Sequence, residues 1–596
     1  MWHKRVRALK ALAPLLRVLW DADKRLVVGI CICRLMVAGV PLAALLVGRR
    51  IIDAVSQTLM FTRSVPESLW WLVSLEFGLA MLALLLSRTI DYFHAVLALR
   101  FKKAMGIQLI DHSAKLDLGF FEDDALCDKL DRARWQGWDR AGMIEQIGRI
   151  LQLLVSAVAL AAGLFTVSPA MTFLLIVSAI PVALGESHGA FLLYALNFVQ
   201  TPLRRQLLYI MHLGTWRESA KEVKLFDLSP FLGHRFGELS KQLHDEECKI
   251  HRQKLWLTTA LSSLAILGQF AIYAFVLWKA IRGTISIGTL TFVTGVVTSV
   301  SLRLQEMFIL LSAIADGSLY LTDLIDFFAL KPKIRSKPGA LPAPRPFRQG
   351  FEFRNVSFQY PASPRKLLID VNFHLAPGER IALVGENGNG KTTIVKLLMR
   401  FLDPTDGQIL LDGRDLREYS LEDLRRQVGA VFQDFVRYNL TAADNIAVSQ
   451  IEHRTDRRRL ELAAEKSLAA GVISQLPHKY ETMLGTHVNG VDLSGGEWQQ
   501  LALSRVYFRD AQLLVLDEPT SALDPFAEEA VFQRFSDLSK ERTVLIVSHR
   551  FSTVRMANRI LVLHDGRITE SGDHDQLMAL GHRYAKMFEL QARRYQ

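Results

Sequence analysis

Cysteine is scarce: Cys31, Cys33, Cys127 and Cys248 are four residues in 596, too few for a disulfide scaffold. Cys31 and Cys33 sit in an apolar run with no His or carboxylate at ligand spacing, which leaves them a reduced, structural role. Acid is also in deficit, with 60 Asp and Glu against 71 Lys and Arg and a formal net charge of +11. The basic residues form no stripe on a soluble domain; many lie between apolar runs, which argues against nucleic acid as a partner. No repeat at solenoid period is present, and half of the residues are hydrophobic, too many for a disordered chain. What is present is an uneven distribution, with the long apolar runs gathered in the first 315 residues.

Runs able to cross about 30 Å of hydrocarbon as helices occur at Leu26–Gly48, Leu69–Leu86, Ile150–Val167, Leu257–Trp278 and Ile285–Leu302. A marginal run at Ala170–Gly185 completes six, its inner end blurred by Glu186, His188 and a further apolar stretch. Lys and Arg crowd the first 25 residues, but the apolar run behind them is too long for a signal peptide and lacks a small-residue cleavage site. Basic segments before the first span, between the second and third, and from Arg204 to Lys254 alternate with short, weakly charged links. That asymmetry predicts an integral membrane protein with both termini in the cytoplasm, of a bacterial inner membrane as the default reading. The two internal basic segments are long and helical in character, so the helices should continue past the bilayer. Arg34, Glu76, Arg303 and Glu306 fall within spans and should face protein or water. Arg34 and Arg303 are candidates for a polar path favouring anionic cargo; the plainer alternative pairs Arg303 with Glu306.

Residues 331–350 read KPKIRSKPGALPAPRPFRQG, five prolines and six basic residues without an acid, and predict a linker between a membrane domain over 1–330 and a second domain over 351–596. In the second domain, strand-like and helix-like segments alternate, an α/β pattern. The strand Arg380–Val384 runs into Gly385-Glu-Asn-Gly-Asn-Gly-Lys391-Thr392-Thr393, which has the G-x-x-x-x-G-K-[ST] form. Glycines there let backbone N–H groups close around phosphate, Lys391 reaches the terminal phosphates and Thr392 binds Mg²⁺. Farther on, four apolar residues of Leu513–Leu516 deliver Asp517 and Glu518 to the strand end. Asp517 is read as holding Mg²⁺ through water, and Glu518 as polarising the attacking water. The chemistry is that of a P-loop ATPase with ATP and Mg²⁺ as cofactors.

The segment Leu493-Ser494-Gly495-Gly496-Glu497 closely resembles the signature of ATP-binding cassette (ABC) proteins, and six spans ahead of one cassette resembles the half-transporter layout of ABC exporters. The fold class implied is a polytopic α-helical membrane domain followed by an α/β P-loop ATPase domain. Further roles follow from the resemblance. Tyr360 matches the aromatic that stacks on adenine, and Asn387, Gly388, Gly390 and Thr393 belong with Gly385 to the nucleotide cradle. Gln433 matches the glutamine that senses γ-phosphate and Mg²⁺, Asp524 the loop at the cassette interface, and His549 the histidine on γ-phosphate. Phe120-Phe121-Glu122 and Glu222–Phe226 resemble the two turns that carry coupling helices. Ser494, Gly495 and Gly496 would face the γ-phosphate held by a second cassette, so the resemblance implies a dimer, with a second copy of this chain as the economical partner and a heterodimer as the alternative.

Three departures stand out. Thr486-His-Val-Asn-Gly490-Val-Asp is shorter than the acidic glycine-rich loop of many exporters, Glu497-Trp498 replaces the frequent Gln and basic residue, and Arg437-Tyr438 stands where Leu-Phe is common. No motif names the cargo, and small molecule, peptide and lipid remain open. The implied function is ATP-driven export by alternating access. A lipid flippase, an importer or an ATP-regulated receptor on the same fold are the alternatives.

Overall fold

A computed structural model describes residues 12–59, 67–123, 126–127, 130, 141–217, 219–361, 363–486, 489–518, 542–548 and 550–592. The chain divides into two compact units, Met1–Leu116 with Asp123–Lys331, and Asp117–Glu122 with Pro332–Gln596.

The first unit is helical. Among the described residues, six helices are long and apolar enough to cross a membrane: Lys24–Gln57, Glu67–Lys115, Glu145–Phe165, Pro169–Gly189, Ser229–Ile281 and Ile287–Leu311. Side-chain caps start two of them. Asp23 caps the first by accepting from the backbone N–H groups of Arg25 and Leu26 at 2.9 and 3.2 Å, and Ser286 caps the sixth by accepting from that of Thr289. At 1.5 Å per residue, the 53-residue helix Ser229–Ile281 is about 80 Å long, so it continues far past about 30 Å of hydrocarbon. The fourth helix does not end near Gly185 but runs on to Val199. The charge that blurred its end is absorbed there, since Glu186 pairs with Lys254 of the fifth helix at 3.5 Å and Gly189 lets the Lys254 stem approach. Leu160, Leu164, Leu175, Ile272, Val276, Phe292 and Val296 close a common core from the third to the sixth spans.

Arg34 is 4% exposed. Its guanidinium donates to Gln152 Oε1 at 2.9 Å, to His94 Nε2 at 2.7 Å and to the Glu145 carbonyl at 3.4 Å, tying the first, second and third spans together. Arg303 donates to Ser156 Oγ and to the Ser299 carbonyl, while Glu306 pairs with Arg149 of the third span at 2.8 Å rather than with Arg303. Glu76 is exposed on the second helix.

The described residues of the second unit form two sheets, built from β1 (Phe351–Gln359), β2 (Lys366–Leu375), β3 (Arg380–Val384), β4 (Asp406–Leu411), β5 (Arg414–Asp415), β6 (Val428–Val431), β7 (Leu513–Asp517), β8 (Thr543–Val547), β9 (Arg559–His564) and β10 (Arg567–Gly572). One sheet has the order β2-β1-β4-β5; the other runs β10-β9-β3-β8-β7-β6 and is parallel except for the β9–β10 hairpin. Strands β3, β7 and β8 are almost wholly buried, as expected of parallel strands covered on both faces. Residues 332–350 pack along this unit: Phe347 enters its core, Leu341 exchanges backbone bonds with Glu418 and Ser420, and Asp412 accepts from the N–H groups of Arg348, Gln349 and Gly350. The short helix Leu118–Phe121 belongs to it too, because Asp117 accepts from the N–H groups of Lys333 and Ile334 at 2.6 and 3.1 Å.

Candidate nucleotide-binding site

Strand β3 lies in mid-sheet, paired with β8 on one side and β9 on the other, so the turn that follows it is held from both flanks. A side chain at Gly385 would collide with the Leu563 carbonyl at 2.4 Å, which explains a glycine at that point. Gly390 has φ +97°, a left-handed backbone that opens the helix Lys391–Leu398 and leaves its first N–H groups facing the turn. Such a helix start favours an anion.

Asn387, Gly388, Gly390, Lys391, Thr392, Thr393, Gln433, Asp517 and Glu518 line one cleft of about 280 Å³. Lys391 is 8% exposed, and its Nζ folds back onto the carbonyls of Gly385 and Glu386 at 2.7 and 3.0 Å. Burial pulls its pKa below the ordinary lysine value, against the opposing pull of Glu518, Asp517 and Glu386. Thr392 Oγ1 donates to Asp517 Oδ2 at 3.3 Å. Asp517, 3% exposed at the end of β7, has its pKa pushed up to about 6: burial is the main cause and Glu518 adds to it, while the Thr392 bond and Lys391 oppose. Gln433, beyond β6, donates Nε2–H to Glu518 Oε2 at 2.9 Å. The Thr392 hydroxyl and the buried Asp517 carboxylate, with the Gln433 amide nearby, are hard oxygen donors, and a carboxylate destabilised by burial is one that a cation would relieve. They fit Mg²⁺.

Tyr360 lies beside the cradle, its hydroxyl 3.3 Å from Thr393 Oγ1 and its ring edge-on to Phe358. Lys396, which motif reading missed, joins Tyr360 to the Leu118–Phe121 turn through an ion pair with Glu122. Burial alone would lower its pKa, but hydrogen bonds to Glu122 and Tyr360 leave it raised. No local sequence signal marks it, because its partner lies far away in the chain.

Ser494, Gly495 and Gly496 stand elsewhere. They open the helix Gly495–Phe508 in a capping box, in which Ser494 Oγ accepts from the Glu497 N–H at 3.3 Å and Glu497 Oε2 accepts from the Ser494 N–H at 2.7 Å. None of the three lines the cleft of their own chain. Trp498 is 1% exposed among Leu460, Ile446 and Leu501, so the unusual Glu497-Trp498 pair is a cap followed by a core residue. Tyr438 lies under the Arg505 guanidinium at 4.9 Å. Asp524 and His549 lie outside the described residues.

The chain that carries this cleft is similar to known proteins. A sequence profile described as ABC transporter matches residues 368–521. The subtilin transport ATP-binding protein SpaT of Bacillus subtilis is 30% identical over 521 residues, which cover 86% of this chain and 83% of that protein. The chain belongs to the ABC transporter family. An ATP-dependent lipid A-core flippase of Pectobacterium atrosepticum is 45% identical over 240 residues, 40% of this chain and 41% of that protein. The flippase of the same name from Burkholderia pseudomallei is 37% identical over 403 residues, 66% of this chain and 65% of that protein. The structure of a bacterial Atm1-family ABC exporter with ATP bound superposes with TM-score 0.79 at 24% identity, covering 96% of this chain and 98% of that one. The transporter therefore has the exporter architecture along its length: an integral membrane domain, and a cassette that binds ATP and couples its hydrolysis to transport.

Proposed function

We propose that two copies of this transporter form a homodimer in the bacterial inner membrane, cassettes in the cytoplasm, and that the dimer exports its cargo by alternating access. The observation that carries the dimer is the separation of Ser494–Gly496 from the cleft of their own chain. A phosphate loop lacking its signature turn is half a site, and a second copy supplies the other half. In the complete site Lys391 and the N–H groups of the loop bind the triphosphate, Tyr360 stacks on adenine, and Ser494 of the second copy closes on γ-phosphate. Thr392, Asp517 and Gln433 would hold Mg²⁺, which supplies charge neutralisation on the phosphates when bound. Glu518 takes the proton of the attacking water, with Gln433 fixing its carboxylate, and His549 and Asp524 complete the γ-phosphate and interface contacts. ATP draws the cassettes together and hydrolysis releases them, so the membrane helices alternate between two arrangements.

The relatives point to two cargo readings, since one is named for subtilin transport and others for lipid A-core flipping. Proteoliposomes holding the purified chain test both: ATP-dependent protection of a fluorescent lipid from an external quencher supports flipping, and ATP-dependent accumulation of an amphiphilic peptide in inside-out vesicles supports export of soluble cargo. Neither signal above that of Glu518→Gln liposomes would sink the transport reading.

A further inference from the structure

Glu386, the second residue of the phosphate loop, is absent from the nucleotide-binding set assigned above, yet it is held from far along the chain. Arg583 Nη2 donates to Glu386 Oε1 at 2.6 Å. The Arg583 fork is itself fixed, because Nη1 donates to His564 Nε2 at 3.0 Å and its backbone N–H donates to Glu570 Oε1 at 2.9 Å. Its neighbour Tyr584 is fully buried against Ala382, Val384 and Ile560, the core under the loop, and meets His574 Nδ1 through its hydroxyl at 2.8 Å. The helix Arg583–Ala592 is thus nailed to the sheet one residue from the guanidinium. On the loop side, the carbonyl of the same Glu386 accepts from Lys391 Nζ at 3.0 Å. One residue therefore carries both a carboxylate gripped by Arg583 and a carbonyl gripped by the lysine that binds phosphate.

A free carboxylate at that place opposes the binding of a polyanion, and pairing it with a guanidinium cancels the repulsion. We propose that Arg583 is a positioning residue for ATP: it neutralises the Glu386 carboxylate on the phosphate loop, so that the C-terminal helix sets the affinity of the site for triphosphate. The proposal rests on the reading of the Lys391 loop as the ATP cradle.

The full chain in nanodiscs tests it. Arg583→Ala raises the KM for ATP by roughly two- to five-fold, the range of a partly exposed ion pair, with kcat nearly unchanged. Adding Glu386→Gln to that variant restores KM, because no charge is left to neutralise; a helix that acted only as a brace would leave the double variant as impaired as the single one. The KM difference shrinks in 0.5 M KCl, where the Debye length falls to about 4 Å and the repulsion between an exposed carboxylate and the phosphates is weakened. Glu386→Gln alone touches no contact of the C-terminal helix core, and its KM is expected at or below wild type even if Arg583→Ala folds poorly. An unchanged KM in Arg583→Ala, no rescue in the double variant, or a higher KM in Glu386→Gln would each overturn the proposal. Lys391→Ala tests the underlying reading separately: retained binding of fluorescent ATP in that variant defeats the cradle itself, whatever Arg583 does.

Discussion

Gln433 Nε2 and Glu518 Oε2 are 2.9 Å apart, a bond between the end of β6 and the end of β7 that aims the carboxylate into the cleft. Glutamine in place of Glu518 keeps the side-chain length and can still accept from Gln433 through its amide oxygen. It cannot take a proton from water. Glu518→Gln should therefore lower steady-state ATP hydrolysis by at least about 10²-fold while leaving ATP binding near wild type. Phosphate release and fluorescent-nucleotide titration on the same preparation measure the two; turnover above about a tenth of wild type would remove Glu518 from the role of base.

Asp517 makes the site costly to keep empty. Its pKa is about 6 in the fold against 3.8 as the ordinary value, so between about pH 4 and 6 the folded protein binds a proton that the unfolded chain does not. Stability consequently falls as pH rises through that window, and above it the ionised carboxylate costs on the order of 3 kcal/mol. In nucleotide-free protein held in a chelator, Asp517→Asn should melt higher than wild type at pH 8, and the gap should close as pH is lowered to about 4. A gap of the same size at both ends of the titration would show that burial of the charge is not its cause. The same variant should gain little stability from ATP with Mg²⁺, in contrast to wild type.

Local sequence disclosed those elements whose chemistry is local. The phosphate loop, the Asp517-Glu518 strand end and five clear spans each lie within about twenty residues, and a glycine pattern or an apolar run suffices to see them. Elements whose geometry depends on a distant partner were not legible. The fourth helix runs on through Glu186, whose charge is paired with Lys254 of the fifth helix, and residues 332–350 look like free linker until Asp412 and Phe347 tie them down. Trp498 reads as a departure from a motif and turns out to be a core residue, since the face of the helix Gly495–Phe508 that meets Leu460 cannot be told from five residues of signature. Lys396 and Glu122 are separated by 274 positions, and no motif spans that distance.

The capping box around Ser494 leaves the start of its helix formed but remote from the Lys391 loop of the same chain. In a covalently linked dimer, Lys391→Ala in one copy and Ser494→Arg in the other should damage the same composite site and spare the second. Both changes placed in one copy should damage both sites. Trapping radiolabelled ATP with vanadate then gives about one occluded nucleotide per linked dimer in the first arrangement and close to none in the second. The reverse pattern, close to none in the first arrangement and about one in the second, would mean that Ser494 serves its own chain, and indistinguishable stoichiometries would equally overturn the shared site.

Arg34 fills its surroundings closely enough that the small residue beside it becomes a test of what it does. A Cβ at Gly148 would lie 2.9 Å from Arg34 Nε and 3.3 Å from its Cζ, and the guanidinium cannot swing away without releasing Gln152, His94 and the Glu145 carbonyl. If Arg34 is the clamp that joins three spans, Gly148→Ala should destabilise the membrane domain by about 1–3 kcal/mol, as overpacking does. The same substitution in an Arg34→Met background should cost much less, because the crowded fork is gone. Arg34→Lys should not replace the arginine, since one ammonium cannot serve three acceptors spread over a planar fork. An Arg34 that instead lined the cargo path would behave differently: Arg34→Met would alter cargo-stimulated ATPase without lowering the melting temperature, and Gly148→Ala would cost the same in both backgrounds. Melting curves in nanodiscs for the four members of the Arg34→Met and Gly148→Ala cycle separate the two cases.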